Sequence, residues 1–254
     1  MKVLYSIGAD DGDDHLALRF SLRSIEKFAT GCEQVIVVGC PPSWLTTEVV
    51  SLPVPPDPRR YKQQNILDAV LAAIDAGLVE GEFLYSSADH FLVRPVDFDR
   101  FPYYYKSKEL PTFDSVVSTS GLRGWAGVQR SLTQTRDLLL THQYPAWNWS
   151  GHVNTHMNAL DAAAVRSLVG KYRGAKFGYE PTCLFMNVRA ARDSSLVGTY
   201  REDCKIDQFI GEQELLDEIG ERDTFSIAGG LLSREPALLD WMYRMYPEPS
   251  RFER

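Results

Sequence analysis

Residues 82–93, EFLYSSADHFLV, constrain the fold more than any other part of the chain. An apolar and aromatic run reaches a short polar stretch that contains Asp89, and then resumes as Phe91-Leu92-Val93. Such a run is typical of a buried strand, and in a parallel sheet the strand exits lie at the edge where ligands bind. Burying an unpartnered carboxylate is costly, so we expect a cation or strong donors beside Asp89, unless it caps the following turn.

Strand and helix patterns alternate along the first ninety residues. Four short apolar runs predict strands, and two stretches with apolar residues three and four apart predict helices. Their order is strand 2–7, helix 15–28, strand 34–39, strand 49–54, helix 61–78 and strand 83–87. This order predicts an α/β fold with a mixed, mainly parallel sheet flanked by helices and joined by right-handed crossovers.

The rest of the chain carries weaker patterns. Helices are predicted at 134–140, 161–169 and 208–219, and strands at 183–188 and 225–227. The four aspartates at 10, 11, 13 and 14 offer several caps for the first helix. We find no internal repeat, low-complexity segment or linker, so a single domain is expected over residues 1–254.

Composition favours a cytoplasmic protein without a membrane span. The four cysteines form no CxxC pair and are expected to be reduced thiols, with zinc or a disulfide as the alternatives: Cys32, Cys40, Cys183 and Cys204. The first fourteen residues reach an acidic run without a long apolar core, which disfavours a signal peptide. Eighteen consecutive apolar residues occur nowhere in the chain, which disfavours a transmembrane helix.

Charge is distributed unevenly along the chain, whose net charge is -7. Residues 101–192 carry 11 basic and 5 acidic side chains, against 16 and 29 in the remainder. This contrast arises either from chance clustering on a solvated surface or from a basic face that meets an anionic substrate. The net charge itself disfavours indiscriminate binding of polyanions.

One segment carries a family resemblance. Residues 18–27, LRFSLRSIEK, resemble a stretch of the Stealth family of sugar-phosphate transferases. The resemblance continues in the same order over about residues 15–95. The further similar stretches there are QVIVVG at 34–39, Pro42-Ser43-Trp44-Leu45, Asn65 and Ala88-Asp89-His90-Phe91. A later similar segment lies at 152–161. The stretch Ala88-Asp89-His90-Phe91 is similar to a paired-aspartate motif in which Ala88 takes the first place, so only Asp89 carries over. The resemblance implies transfer of a hexose 1-phosphate.

A broader resemblance is to nucleotide-sugar transferases of the GT-A fold. In those enzymes an Asp-x-Asp-like motif after a strand holds a divalent metal on the donor pyrophosphate, and Ser87-Ala88-Asp89 is similar to it. Residues 212–216, EQELL, also resemble the Asp-Gln-x-x-Leu helix of retaining galactosyltransferase-like enzymes. The likeness implies a GT-A-like, Rossmann-type domain with a donor half at 1–100 and an acceptor half at 101–254. It also implies a UDP-sugar donor and Mn²⁺ or Mg²⁺.

The metal-site candidate is Asp89, with Ser87 and Ala88 beside the donor. A cation that bridges two phosphates neutralises the charge left when a sugar–nucleotide bond breaks. Mg²⁺ is commonly held by one or two carboxylates while phosphates and water complete its shell. A single aspartate is therefore sufficient, and His90 on the opposite face of the strand is expected to be structural.

The other donor-side candidates lie at the predicted sheet edge or on the two helices. They are Ile7, Gly8, Asp10, Asp11, Arg23, Lys62 and Asn65. The two aspartates suit a ribose or uracil but also suit helix capping. Arg23, one helical turn from Arg19, suits a phosphate but also a solvated helix surface, and the same alternative holds for the two residues of the second helix.

The candidates for catalysis on the acceptor side come from the second half. Glu180, Asp207 and Glu212 are candidates for the general base of an inverting reaction. In a retaining reaction, Gln213 would lie beside the reacting face of the sugar. His156 is a candidate for phosphate binding or proton transfer; on a helix it would share a face with His152, although glycine and asparagine nearby disfavour a helix there.

Aromatic and basic residues of the middle segment suggest an acceptor surface. Trp125, Trp147 and Trp149 suit stacking on a sugar or nucleobase, with core packing as the alternative. The basic residues near them are Arg123, Arg130, Lys171, Arg173 and Lys176. They suit an anionic acceptor such as modified DNA or a phosphorylated glycan.

The sequence thus predicts a metal-assisted glycosyltransferase that uses a nucleotide-sugar donor. Two alternatives stay open. One is hexose-1-phosphate transfer of the Stealth type, which releases UMP where sugar transfer releases UDP. The other is a non-catalytic module that binds a nucleotide or a glycan.

Overall fold

The main body of the protein is a mixed α/β fold whose principal sheet is mostly parallel and carries helices on both faces. A computed structural model describes residues 1–9, 14–112, 123–149, 155–170, 177–209 and 211–254, with only the backbone for 123–126. The predicted α/β class and the mainly parallel sheet are confirmed.

The secondary structure follows the predicted order in the first half. The strands are β1 (Lys2–Ile7), β2 (Ala29–Thr30), β3 (Gln34–Gly39), β4 (Val49–Pro53), β5 (Glu82–Ser86), β6 (His90–Leu92), β7 (Val96–Asp97), β8 (Tyr104–Tyr105), β9 (Thr155–Asn158), β10 (Thr199–Tyr200), β11 (Lys205–Ile206) and β12 (Thr224–Ile227). The helices are α1 (Leu16–Phe28), α2 (Lys62–Asp75), α3 (Arg123–Thr141), α4 (Ala162–Gly170), α5 (Pro181–Arg192), α6 (Glu212–Ile219), α7 (Leu231–Arg234) and α8 (Pro236–Met245).

The principal sheet has five strands in the order β4-β3-β1-β5-β9. The first four run parallel, and β9 lies antiparallel to β5, with Phe83 opposite Met157. Helix α1 follows β1 and helix α2 joins β4 to β5, as crossovers between parallel strands require. The carboxyl ends of β4, β3, β1 and β5 therefore lie at one edge of the sheet.

The two faces of the sheet have separate apolar cores because side chains alternate along each strand. In β1, Val3 and Tyr5 belong to the core that includes α1, whereas Leu4 belongs to the core beneath α2 and α5. Both faces are thus removed from water, which explains why these strands read as continuous apolar runs.

A second, smaller sheet stands beside α1. Its order is β11-β12-β6, with β6 antiparallel to β12. It shares a third core with α6 and α8, and Phe20 and Trp241 are among the buried side chains there. Helix α1 therefore packs on the principal sheet through Leu18 and Leu22, and on the third core through Phe20.

One predicted strand is wrong. Residues 183–188 lie inside α5, which begins after Glu180 and has Pro181 in its first turn. All six of these residues are buried and all but Asn187 are apolar, so the run does not show the spacing of polar positions that reveals a helix. The signal that identifies a helix here is the acid-proline pair at its start, since proline is favoured at the first helical position.

Other predicted elements differ in extent or start. Helix α1 begins after His15, whose φ of 55° is left-handed, and no described side chain caps it. Asp14 instead binds Arg19 at 2.7 Å. The helix predicted at 134–140 is longer, and the one predicted at 208–219 begins at Glu212.

The cysteines and helices agree with two further expectations. None of the four cysteines, Cys32, Cys40, Cys183 and Cys204, takes part in a disulfide. No helix in the part of the chain that the structure describes is long and apolar enough to cross a membrane.

Candidate active-site cleft

A cleft of ≈ 630 Å³ opens at the carboxyl edge of the principal sheet. Ile7 and Gly8 line it at the end of β1, and Gly39 lines it at the end of β3. The segment 87–89, which follows β5, lines it as well. Strand exits that are far apart in sequence are thus gathered around one cavity, as expected for the ligand site of a parallel sheet.

The floor of the cleft is held together by backbone contacts. The amide of Cys40 donates to the carbonyl of Ile7 at 3.0 Å, and the amide of Val54 donates to the carbonyl of Gly39 at 2.9 Å. Gly39 has a φ of 118°, and a Cβ at this position would overlap the Ile7 carbonyl oxygen. Glycine is therefore required for β1 and β3 to approach so closely.

Asp89 presents its carboxylate to the cleft. Its side chain is 30% exposed, and its Oδ1 lies 4.0 Å from His90 Nε2, beyond hydrogen-bonding distance. The Asp89 backbone is fixed, because its carbonyl accepts from the amide of Ile227 at 3.2 Å. Within the described residues no side chain or amide donates to the carboxylate, so it is available to a ligand.

Helices α1 and α2 both begin at the cleft. Ala17 and Leu18 line it from the first turn of α1, and Lys62 and Asn65 line it from the start of α2. Neither first turn contains an acidic residue. Since the amino end of a helix carries partial positive charge and free N–H groups, both helices favour an anion in the cleft.

The other charged groups of the cleft wall are mostly paired. Arg60 binds Asp68 at 2.5 Å and lies 3.8 Å from Asp57. Hydrogen bonds from Arg59 lower the pKa of Asp57 to about 2. Lys62 is exposed and pairs with no carboxylate of the described residues. Among the described residues of the wall, the carboxylate of Asp89 therefore accepts no hydrogen bond, and the ammonium group of Lys62 has no carboxylate partner.

Asn65 shapes the cleft wall through its own hydrogen bonds. Its Oδ1 accepts from the amide of Asp57 at 3.1 Å, and its Nδ2 donates to the carbonyl of the same residue at 3.1 Å. The side-chain amide thereby holds the loop between β4 and α2, from Val54 to Arg60, against the helix.

Asp89 could serve as one ligand of a divalent cation in the cleft. No three His, Cys, Asp or Glu side chains of the described ranges come together as a metal-binding group. Asp89 is one carboxylate, and a diphosphate with water supplies the remaining oxygen ligands that Mg²⁺ prefers. Asp10 and Asp11, which follow Ala9 at the cleft, lie outside the described residues.

The structure brings together seven of the residues predicted for the site. They are Ile7, Gly8, Lys62, Asn65, Ser87, Ala88 and Asp89. Five others lie elsewhere: Arg23, His156, Glu180, Glu212 and Gln213 do not line the cleft.

Arg23 is bound on the other side of α1. Its guanidinium donates to both carboxylate oxygens of Glu253, at 2.9 and 2.8 Å. Burial opposes ionisation of Glu253, yet the hydrogen bonds from Arg23 and Ser250 keep its pKa below the usual range. Arg23 thus fastens the C-terminal segment to α1.

His156 belongs to a charged network near the amino end of β5. Its Nδ1 lies 2.7 Å from Glu82 Oε1, and its Nε2 lies 2.6 Å from the carbonyl oxygen of Phe101. Burial alone would raise the pKa of Glu82, but hydrogen bonds from His156, Arg189 and Tyr103 lower it to about 2. His156 lies in strand β9 rather than on a helix. Residue 152, which would have shared a helix face with it, lies outside the described residues.

The acidic candidates of the second half have structural partners. Glu180 accepts hydrogen bonds from the amide of Cys183 at 2.7 Å and the hydroxyl of Thr182 at 2.5 Å, and burial raises its pKa. The exposed candidates pair as follows: Glu212 with Arg244 at 2.6 Å, Gln213 with Asp217 at 2.9 Å, and Asp207 with Lys205 at 3.3 Å.

Two of the candidate tryptophans pack together. Trp147 and Trp149 stack with ring centroids 5.6 Å apart, and Trp149 is buried in the core beneath α5. Arg130 lies over the ring of Phe177 at 4.9 Å. The remaining candidates of this segment fall outside the described residues or have undescribed side chains: Arg123, Trp125, Lys171, Arg173 and Lys176.

Sequence reasoning missed several residues of the cleft wall. They are Gly39, Asp57, Arg60, Asp68, Gly229 and Gly230. The proline-rich stretch 54–58 was a usable signal, because a loop between a parallel strand and the next helix lies at the carboxyl edge of the sheet. No local pattern indicates the two glycines after β12.

No protein-family model matches the chain, and no curated protein matches it. The fold and site define an α/β protein with an anion-favouring cleft at the carboxyl edge of a mainly parallel sheet.

Proposed function

We propose that the chain is a metal-dependent glycosyltransferase of GT-A-like architecture. It transfers a sugar from a nucleotide-sugar donor, a UDP-sugar, to an acceptor hydroxyl. The observation that carries this proposal is the carboxylate of Asp89, which accepts no hydrogen bond from the described residues and shares a cleft with the amino ends of α1 and α2.

The charges of the cleft suit the departure of a diphosphate. Breaking the sugar–nucleotide bond concentrates negative charge on the leaving phosphates, and a bound Mn²⁺ or Mg²⁺ neutralises it. Asp89 would hold this cation from one side. Lys62 and the first turn of α2 would stabilise the phosphates from the other side, as preorganised positive groups do in phosphate sites.

The dimensions of the cleft support a ligand of this size. Small-molecule sites usually have volumes of about 300–1,000 Å³. The cleft, at ≈ 630 Å³, lies in the middle of this range. The loop held by Asn65 and the segment that contains Ala88 both line it, and we propose that the base and the sugar of the donor lie between them.

A donor screen tests the proposal. UDP-, GDP- and CDP-sugars are incubated with the protein and Mn²⁺, and the released nucleotide is identified by chromatography. We expect slow, metal-dependent release of UDP from one UDP-sugar, and loss of that release in Asp89→Asn.

The matched control is Asp75→Asn, which removes an exposed carboxylate paired with Arg166 outside the cleft. It should release UDP as the wild-type protein does. Release of UMP would instead establish sugar-phosphate transfer. Metal-independent binding without turnover of any donor would contradict both reactions and favour a binding module.

A further inference from the structure

Two aromatic rings, of which one is exposed and one is half-buried, lie with two exposed cations next to the cleft. We call this group the rim strip, and it consists of Arg130, Phe177, Tyr61 and Lys62. The rings of Tyr61 and Phe177 lie 4.8 Å apart, and the Arg130 guanidinium lies 4.9 Å from the Phe177 ring centroid. Lys62 follows Tyr61 directly and lines the cleft, so the strip is continuous with the proposed donor site.

The rim strip is anchored to rigid elements. Tyr61 is the residue before α2, and its carbonyl accepts from the amides of Gln64 and Asn65 at 3.0 and 3.2 Å. Next to Phe177, Gly178 packs so closely on Gln64 that an added Cβ would lie 2.9 Å from that side chain. The Phe177 amide donates to Gln134 of α3 at 3.3 Å. The rings therefore keep their places relative to the cleft.

The cations of the rim strip are available to a ligand. Arg130 and Lys62 are both exposed, and neither pairs with a carboxylate in the ranges that the structure describes. Tyr61 is 38% exposed, so part of its ring is open to a ligand. In a protein with a net charge of -7, this is a local positive and aromatic surface.

We propose that the rim strip is the acceptor subsite and that the acceptor is an anionic carbohydrate, bearing carboxylate or sulfate groups. The proposal rests on the function proposed above. A sugar ring can stack one face on Tyr61, while the guanidinium of Arg130 forms a bidentate contact with a carboxylate or sulfate. From there the chain of sugars leads past Lys62 into the cleft.

The geometry favours a carbohydrate over a nucleic acid. The Tyr61 and Phe177 rings are tilted by 54°, so they form no parallel-walled slot for a flat base. Within the described residues the strip carries two cations, whereas sequence-independent binding of nucleic acid uses a charged groove with several phosphate contacts.

Binding measurements on intact protein test the subsite. The probes are a hyaluronan tetrasaccharide, which carries carboxylates, neutral cellotetraose and an oligothymidylate, each titrated by calorimetry in the presence of UDP and Mn²⁺. We expect the hyaluronan probe to bind more tightly than the other two. Arg130→Gln and Tyr61→Ser should each weaken it by about ten-fold, as loss of a charge-assisted contact or a stacked ring predicts.

The matched control is Arg136→Gln, which removes another arginine of α3 that already contacts Asp137 at 3.3 Å. It should leave the hyaluronan affinity within two-fold. Equal or absent binding of the charged and neutral sugars, tighter binding of the oligothymidylate, or equal effects of the two arginine variants would overturn the subsite. Affinity for UDP with Mn²⁺ alone is measured separately, so failure of the donor site is distinguished from failure of the subsite.

Discussion

Gly39 and Ile7 lie so close where β3 and β1 end that a Cβ on the glycine would overlap the carbonyl oxygen of the isoleucine. The same carbonyl accepts the amide of Cys40 at 3.0 Å. The floor of the cleft is thus made by backbone contact between two strand exits, and its shape depends on a residue without a side chain.

Gly39→Ala should destabilise the protein by about 1–3 kcal/mol, because alanine is strained at a φ of 118° and its methyl group forces the strand ends apart. Urea denaturation measures the change. Gly81→Ala is the control, since nothing lies within 4 Å of the added Cβ and its φ is not left-handed. Equal losses for both variants would refute the close-packing explanation.

Arg23→Met should lower the free energy of unfolding by about 3 kcal/mol. The reason is that the side chain of Glu253, which is 1% exposed, would lose the main partner of its carboxylate. The control is Arg100→Met, which breaks an exposed ion pair with Asp97 at 3.7 Å and should lower the free energy of unfolding by about 0–1 kcal/mol. Unfolding in urea gives both values. A loss for Arg23→Met no larger than the control would show that the buried pair is not structural.

The Glu82 network predicts acid sensitivity. The folded pKa of Glu82 is about 2, below its ordinary value of 4.5, so its stabilising effect is complete above pH 4.5 and is lost as the pH falls toward 2. The difference in melting temperature between wild type and Glu82→Gln should therefore be large at pH 6 and shrink toward pH 2.5. A difference that does not change with pH would exclude this linkage.

Glu180 is expected to act as a helix cap. Glu180→Ala should lower the free energy of unfolding by about 0.5–2 kcal/mol, because the amide of Cys183 loses its acceptor. Glu180→Asp should retain most of the stability, since aspartate is a favourable capping residue. Chemical denaturation of the two variants provides the comparison, and loss of donor turnover in the well-folded Asp variant would instead give Glu180 a catalytic role.

The first half of the fold could be predicted because its signals are local. Lys2–Ile7 and Gln34–Gly39 are continuous apolar runs, and their predicted bounds match the strands. Once strands and helices alternate, parallel order follows, and the edge position of Asp89 follows from that order. Because both faces of these strands are buried, each strand is a continuous apolar run that is easily recognised in the sequence.

The second half was less predictable because burial hides periodicity. Residues 183–188 are all buried and all but Asn187 are apolar, so a strand and a helix look alike there until the Glu180-Pro181 start is considered. The role of Arg23 could not be predicted for a second reason. The sequence places it on α1, but its partner, Glu253, is 230 positions away. Which face of a helix meets a cleft is decided by such distant contacts.

The most direct test of the central claim is calorimetric titration of UDP into the protein with and without Mn²⁺, for wild type and Asp89→Asn. We expect the wild-type protein to bind UDP at least about ten-fold more tightly with Mn²⁺, and the variant to lose this gain while its metal-free affinity stays the same. Equal enhancement by Mn²⁺ in both proteins would contradict a cation shared between Asp89 and the diphosphate.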